Sequence, residues 1–158
     1  MTSERIIGLA GLAEDAASKA LTLRADIMAM TEAASAAVLR PIEAGAFPHS
    51  MRAALAARIA MLNDRKDLAA HYARGASRDV ARLADPTFEG GKDDRLRAIL
   101  AFTDRVSISP KDATADNIEG LRQAGLAEPD IVRLTQLNAF VAYEIRLIEG
   151  LRLMGASA

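Results

Sequence analysis

About a fifth of the chain is alanine, only 4% of it is aromatic, and there is no tryptophan. Alanine has the best intrinsic helix propensity, and a core of Ala, Leu, Ile and Met lets helices approach closely. The expected fold is therefore all-α, a helical bundle. Five prolines and ten glycines punctuate 158 residues. They fall where helical patterns break, at Arg40-Pro41, Phe47-Pro48, Asp85-Pro86, Glu89-Gly90-Gly91, Ser109-Pro110 and Glu128-Pro129. The length suits one domain over 1–158, able to bury a core without disulfide or metal staples.

Three stretches organise that domain: N-terminal leader helices over 1–47, a central helix group over 48–84, and C-terminal helices over 93–154. The pattern predicts a helix from Asp15 to Met30 and a second from an N-cap at Thr31 to Ala44. Met51, Leu55, Ile59 and Leu62 recur at helical spacing, which predicts one amphipathic helix from Pro48 to Asn63 with Arg52 and Arg58 elsewhere on the wheel. Further helices are expected from Asp64 to Arg74 and, shorter, from Ser77 to Ala84. Residues 85–92 read as a loop. Asp93–Val106, Thr114–Ala124 closed by Gly125, and Glu128–Met154 opened by Pro129 complete the set. The last is apolar over more than one face, the pattern of a helix buried between other helices or between subunits, so a homo-oligomer is expected.

The charges balance at 20 basic against 21 acidic side chains. That leaves no electrostatic footprint for nucleic acid, and no apolar stretch is long enough for a membrane span. No secretory leader is read before Glu14, so the chain reads as cytoplasmic. With no cysteine at all, disulfides, thiolate metal sites and thiol nucleophiles are excluded.

Leu55 to Asn63, a polar turn, and then Leu68-Ala-Ala-His71-Tyr72 resemble the central helix pair of the alkylhydroperoxidase D / carboxymuconolactone decarboxylase superfamily. Leu100–Val106, Ala113–Gly125 and Glu128–Gly150 look like the C-terminal half of its peroxidase-related branch. Ile7–Gly11, Arg24 and Leu39-Arg40-Pro41 are similar to that branch's leader region. The resemblance implies an alkylhydroperoxidase D-like helical domain and an ancestral pocket around His71. In redox-active members a Cys-x-x-Cys pair precedes this histidine. Its two positions fall at Asp64 and Asp67, or one place later with Arg65 first. The relay glutamate would fall at Arg52 or Ala53. The resemblance therefore implies a degenerate, cysteine-free redox site.

On an ideal helix Asp64, Asp67 and His71 lie at about 0°, 300° and 340°, one narrow face. Such a trio suits helix capping by the two aspartates, proton transfer, or a divalent metal. His71 is the acid/base candidate, with a core or interface histidine as the plain alternative. Neither a metal nor a cofactor is called for. Arg52, Arg58 and Arg65 are candidate receptors for a substrate carboxylate. Tyr143 and Arg146 resemble family positions facing the pocket or a subunit contact, with a surface arginine stacked on its own helix neighbour as the plain alternative. Glu144 and Glu149 read as solvated-face acids, with pairing to a cation across an interface as the alternative for Glu144, and His49 as an exposed or helix-initiating residue. Three functions compete: a protein that binds or transforms a small organic molecule through His71, a non-catalytic scaffold partnering a cysteine-bearing paralogue, and an alkylhydroperoxidase-type antioxidant.

Overall fold

The computed structural model describes residues 4–11 and 24–156. Over them run seven α-helices and two 3-10 turns, with no strand among the described residues. The helices are α1 (Glu4–Ala10), α2 (Ala25–Leu39), α3 (His49–Leu62), α4 (Lys66–Ala73), α5 (Asp94–Ile108), α6 (Ala115–Gln123) and α7 (Glu128–Ala156). The 3-10 turns span Ala81–Ala84 and Pro110–Asp112. None of the helices is long and apolar enough to cross a membrane.

Helix α3 is the hub. Ala54, Leu55, Ala56, Ala57, Ile59 and Ala60 are all buried, and the helix packs against α4, the first 3-10 turn, α5 and α7. Four small alanines on one helix let four neighbours come close. The expectation of a one-sided amphipathic helix is corrected here: Arg52 and Arg58 are buried along with the alanines. Helix α7 places Ile131, Leu134, Leu137, Val141, Ile148 and Leu151 in the core. Their spacing traces one stripe, while Val132 and Leu153 on other faces are exposed.

Two predicted boundaries move. The predicted first helix begins at Asp15, and residues 15–23 lie outside the described residues. Its predicted end and the Thr31 cap are overturned, because α2 runs unbroken through Thr31. The Thr31 hydroxyl donates to the Ile27 carbonyl one turn back, at 2.8 Å, so the side chain is satisfied in mid-helix. Asp64 was expected to cap α4. It ends α3 instead: its φ is +57°, its N–H donates to Met61 O at 3.1 Å, and Arg65 N–H donates to Ala60 O at 2.9 Å. That bond pair is the Schellman closure, with aspartate at the left-handed position usually held by glycine. Gly125 closes α6 in the same way, as expected, with φ +81°.

The loop over residues 85–92 is built around a tight contact. Gly90 has φ +96°, and a Cβ there would lie 2.8 Å from the Arg97 backbone nitrogen. Gly91 also has positive φ, but a Cβ would meet only a ring carbon of Phe88, at 4.0 Å. Gly90→Ala is expected to destabilise the fold by about 2–4 kcal/mol, and Gly91→Ala by about 1–2. Urea unfolding of the two variants checks this; equal losses would show that the close approach at Gly90 is immaterial.

Candidate functional site

Of the three residues predicted to share one face, the fold removes Asp64, while Asp67 and His71 remain one turn apart on α4. Asp64 sits in the turn, before α4 begins. Asp67, in the first turn of α4, lies in a cage of cations: Arg65 donates from Nη2 at 3.0 Å and from Nε at 3.2 Å, and Arg152 donates at 2.6 Å. Hydrogen bonding from Arg65, outweighing the desolvation that opposes it and assisted by Arg152, holds the Asp67 carboxyl far below the usual carboxylate range. A carboxylate held so firmly ionised carries no proton near neutral pH. Asp67 is thus a structural anion at the junction of α4 with α7, and Arg152 also reaches the Leu9 carbonyl of α1 at 2.7 Å.

The arginines expected to receive a carboxylate are structural as well. Arg52 is 2% exposed and donates to Phe47 O at 2.8 Å, Val38 O at 2.9 Å and Ala44 O at 2.9 Å, stapling the connection between α2 and α3. Arg58, 1% exposed, grips both Asp104 oxygens and the carbonyls of Asp85, Pro86 and Phe88. Arg65 is buried and pairs with Asp67 and Glu149. All three guanidiniums are turned to main-chain carbonyls or protein carboxylates, where they hold the α2–α3 connection, residues 85–88 and the α4–α7 junction rather than lining the His71 clefts.

His71 stands apart from these, half-buried on α4 where two clefts meet. One, of about 390 Å³, is lined by Leu39, Arg40, His49, Ala53, Tyr72 and Arg74 besides His71. The other, of about 320 Å³, shares Leu39, Arg40 and His71 and adds Arg5, Glu32 and Ser35. Desolvation, then the charges of Arg5 and Arg74, push the His71 pKa below its ordinary value, against the opposing pull of Glu144 and Glu32. The imidazole is therefore neutral at pH 7 and can accept a proton or a hydrogen bond. Its ring meets Tyr72 edge-on, with centroids 5.7 Å apart.

Behind His71 lies a buried polar chain of Tyr72, Glu144, Arg5 and Glu32. Glu144, read as a solvated acid, is completely buried. It accepts a hydrogen bond from the Tyr72 hydroxyl and forms an ion pair with Arg5, Nη2 to Oε1 2.6 Å, while Arg5 also contacts Glu32 at 3.0 Å. Burial first, and the Glu144 charge second, raise the Tyr72 pKa so far that the phenol stays protonated. The missed signal was heptad spacing: Glu144 lies seven residues from both Leu137 and Leu151, on the core stripe of α7.

Tyr143 is 42% exposed, and its hydroxyl shares a 2.7 Å hydrogen bond with Thr31, tying α7 to α2. Arg146 donates to Ala142 O on its own helix and lines a separate cleft beside Asn138 and Ser107. Neither lines the His71 clefts. Among the described residues no three His, Asp or Glu side chains are gathered to hold a metal.

No protein-family model matches the chain, and neither a curated protein nor a solved structure matches it.

Proposed function

We propose that this chain is a cysteine-free protein of the alkylhydroperoxidase D / carboxymuconolactone decarboxylase type, whose groove holds a small organic molecule with His71 as the acid/base group. One observation carries the reading: a half-buried imidazole, kept neutral by desolvation and nearby guanidiniums, stands where two clefts join. A base of this kind works best when its proton affinity lies near the working pH and it faces a partly dry pocket. Thiol peroxidase chemistry has no place here, because no side chain can form a sulfenate and resolve it as a disulfide.

The test is a ligand-observed NMR screen of small organic molecules against the protein and His71→Ala, together with a titration of the His71 ring protons. The expected titration midpoint lies below about 6.5, the ordinary histidine value. Binders should lose at least about tenfold in affinity in His71→Ala, as expected for a lost buried hydrogen-bond partner. A screen whose binders are all indifferent to His71 overturns the proposal. The depressed pKa also predicts a stability profile. Protons bind the unfolded chain more readily than the fold, so the His71 contribution is complete above about pH 6.5 and is lost as pH falls toward the folded value. His71→Gln should remove that slope.

A further inference from the structure

The wider of the two clefts has an unusual lining for a chain of net charge −1. It carries Arg40, Arg74, His49 and His71 and no carboxylate. The chain holds only two histidines, and the fold brings both to this one cleft from different helices. Arg40 and Arg74 are exposed and make no side-chain hydrogen bond or ion pair among the described residues. Each ends a helix, α2 and α4, where the dipole favours a cation. That accounts for an arginine at each end, but not for the convergence of both ends with both imidazoles.

The rest of the cleft is suited to negative charge. Helix α3 supplies His49 and Ala53 to the lining, and no side chain caps the leading N–H groups of that 14-residue helix. Uncapped N–H groups and the positive end of the dipole favour an anion there. His49 Nε2 donates to Pro41 O at 2.8 Å, which orients the ring at the rim. Arg52 holds the carbonyls of Val38 and Ala44, so Arg40 is carried on a connection stapled on both sides. The two acids whose charge reaches His71 are already engaged: Glu32 and Glu144 both pair with Arg5.

We infer that this cleft receives a dianionic tetrahedral oxyanion, the phosphoryl group of a small phosphate ester, between Arg40 and Arg74, with His71 as the flanking donor and His49 held at the rim. Two guanidiniums match a charge of two, and together with the His71 imidazole they offer more N–H donors than the two oxygens of a single carboxylate can accept. The inference rests on the groove being a ligand site, and it does not require His71 to perform chemistry. An anion stabilises the imidazolium, so binding takes up a proton. The groups facing His71 in this balance are Arg5 from α1, Glu32 from α2, Arg74 from α4 and Glu144 from α7, with Arg40 and His49 across the cleft.

The test uses phenyl phosphate, benzoate and inorganic sulfate as probes, with affinities read from amide shifts in NMR titrations. Phenyl phosphate should bind to amides around residues 40, 49, 71 and 74. Its affinity should fall at least about tenfold in Arg40→Gln and in Arg74→Gln, the loss of a charge-assisted pair, and stay unchanged in Arg105→Gln on a distant helix. Sulfate keeps its double charge across the range, so its affinity should rise as pH drops from about 8 to about 5.5, and His71→Gln should flatten that rise. Benzoate binding at this cleft without phenyl phosphate overturns the oxyanion class while leaving the ligand groove standing. Phosphate binding indifferent to both arginines overturns the site. If neither probe binds while neutral molecules do so through His71, the oxyanion fails and the proposed function survives.

Discussion

Arg58→Ala is expected to destabilise the protein by about 3–5 kcal/mol, the loss characteristic of removing one partner from a buried charged network. The guanidinium is 1% exposed and faces Asp104 at 2.5 Å and 2.6 Å. It also satisfies the carbonyls of Asp85 at 2.6 Å, Phe88 at 3.0 Å and Pro86 at 3.2 Å. Truncation leaves those carbonyls facing a cavity without donors, and each orphaned group costs about 1–3 kcal/mol unless water enters. The loss is a large part of the total stability of about 5–15 kcal/mol for a domain of this kind. Arg58→Lys should recover little of it, because one ammonium cannot reproduce a planar fork spread over six acceptors, the Leu83 carbonyl at 3.4 Å among them. Asp104→Asn should be milder, since its side chain is 28% exposed and water can take part of its place. Urea unfolding with a two-state fit distinguishes these cases. A loss below about 1 kcal/mol for Arg58→Ala would mean that the loop finds other donors, and its hold on residues 83–88 would be secondary.

The helical class and the C-terminal half were legible because their signals are local. Thr114 and Asn117 form the capping box of α6, Asp93 accepts from Leu96 N–H to cap α5, and Gly125 supplies the left-handed residue that ends α6. Asp64 misled because an aspartate between two helices satisfies both a start rule and a stop rule. The Ala60 and Met61 carbonyls decide for the stop. The buried charges were harder, yet spacing held part of the answer. Arg58 stands three residues after Leu55 and four before Leu62, within the apolar stripe it was read as avoiding. Sequence periodicity marks such a residue as buried but does not name its partners. Those come from chain positions far away: Asp104 is 46 residues from Arg58, and Glu144 is 72 residues from Tyr72. The His71 groove is assembled in the same long-range way, from the ends of α2 and α4 and the start of α3. One histidine of the site could therefore be read from a motif, while its arginines could not.

Arg5→Ala is expected to cost about as much as Arg58→Ala, about 3–5 kcal/mol, for a different reason: it strands a buried carboxylate rather than carbonyls. Glu144 has no exposure, and Arg5 is its only cation among the described residues. Tyr72 contributes a hydrogen bond but no charge. The decisive comparison is a double-mutant cycle. Glu144→Gln alone should be mild, because Tyr72 can still donate to the amide oxygen and Arg5 keeps Glu32 at 3.0 Å. Arg5→Ala/Glu144→Gln should then be more stable than Arg5→Ala, a coupling of about 2 kcal/mol in favour of removing both charges together. Additive losses would mean that water solvates Glu144 once Arg5 is gone. The same variants reach the site through its electrostatics. Arg5 is the largest charge depressing the His71 pKa, and Glu144 is the largest one opposing it. The His71 ring titration should therefore move up in Arg5→Ala and down in Glu144→Gln. A buried pair that serves packing alone would leave that midpoint in place, so opposite shifts would tie the anchoring of α1 to the proton affinity of the groove.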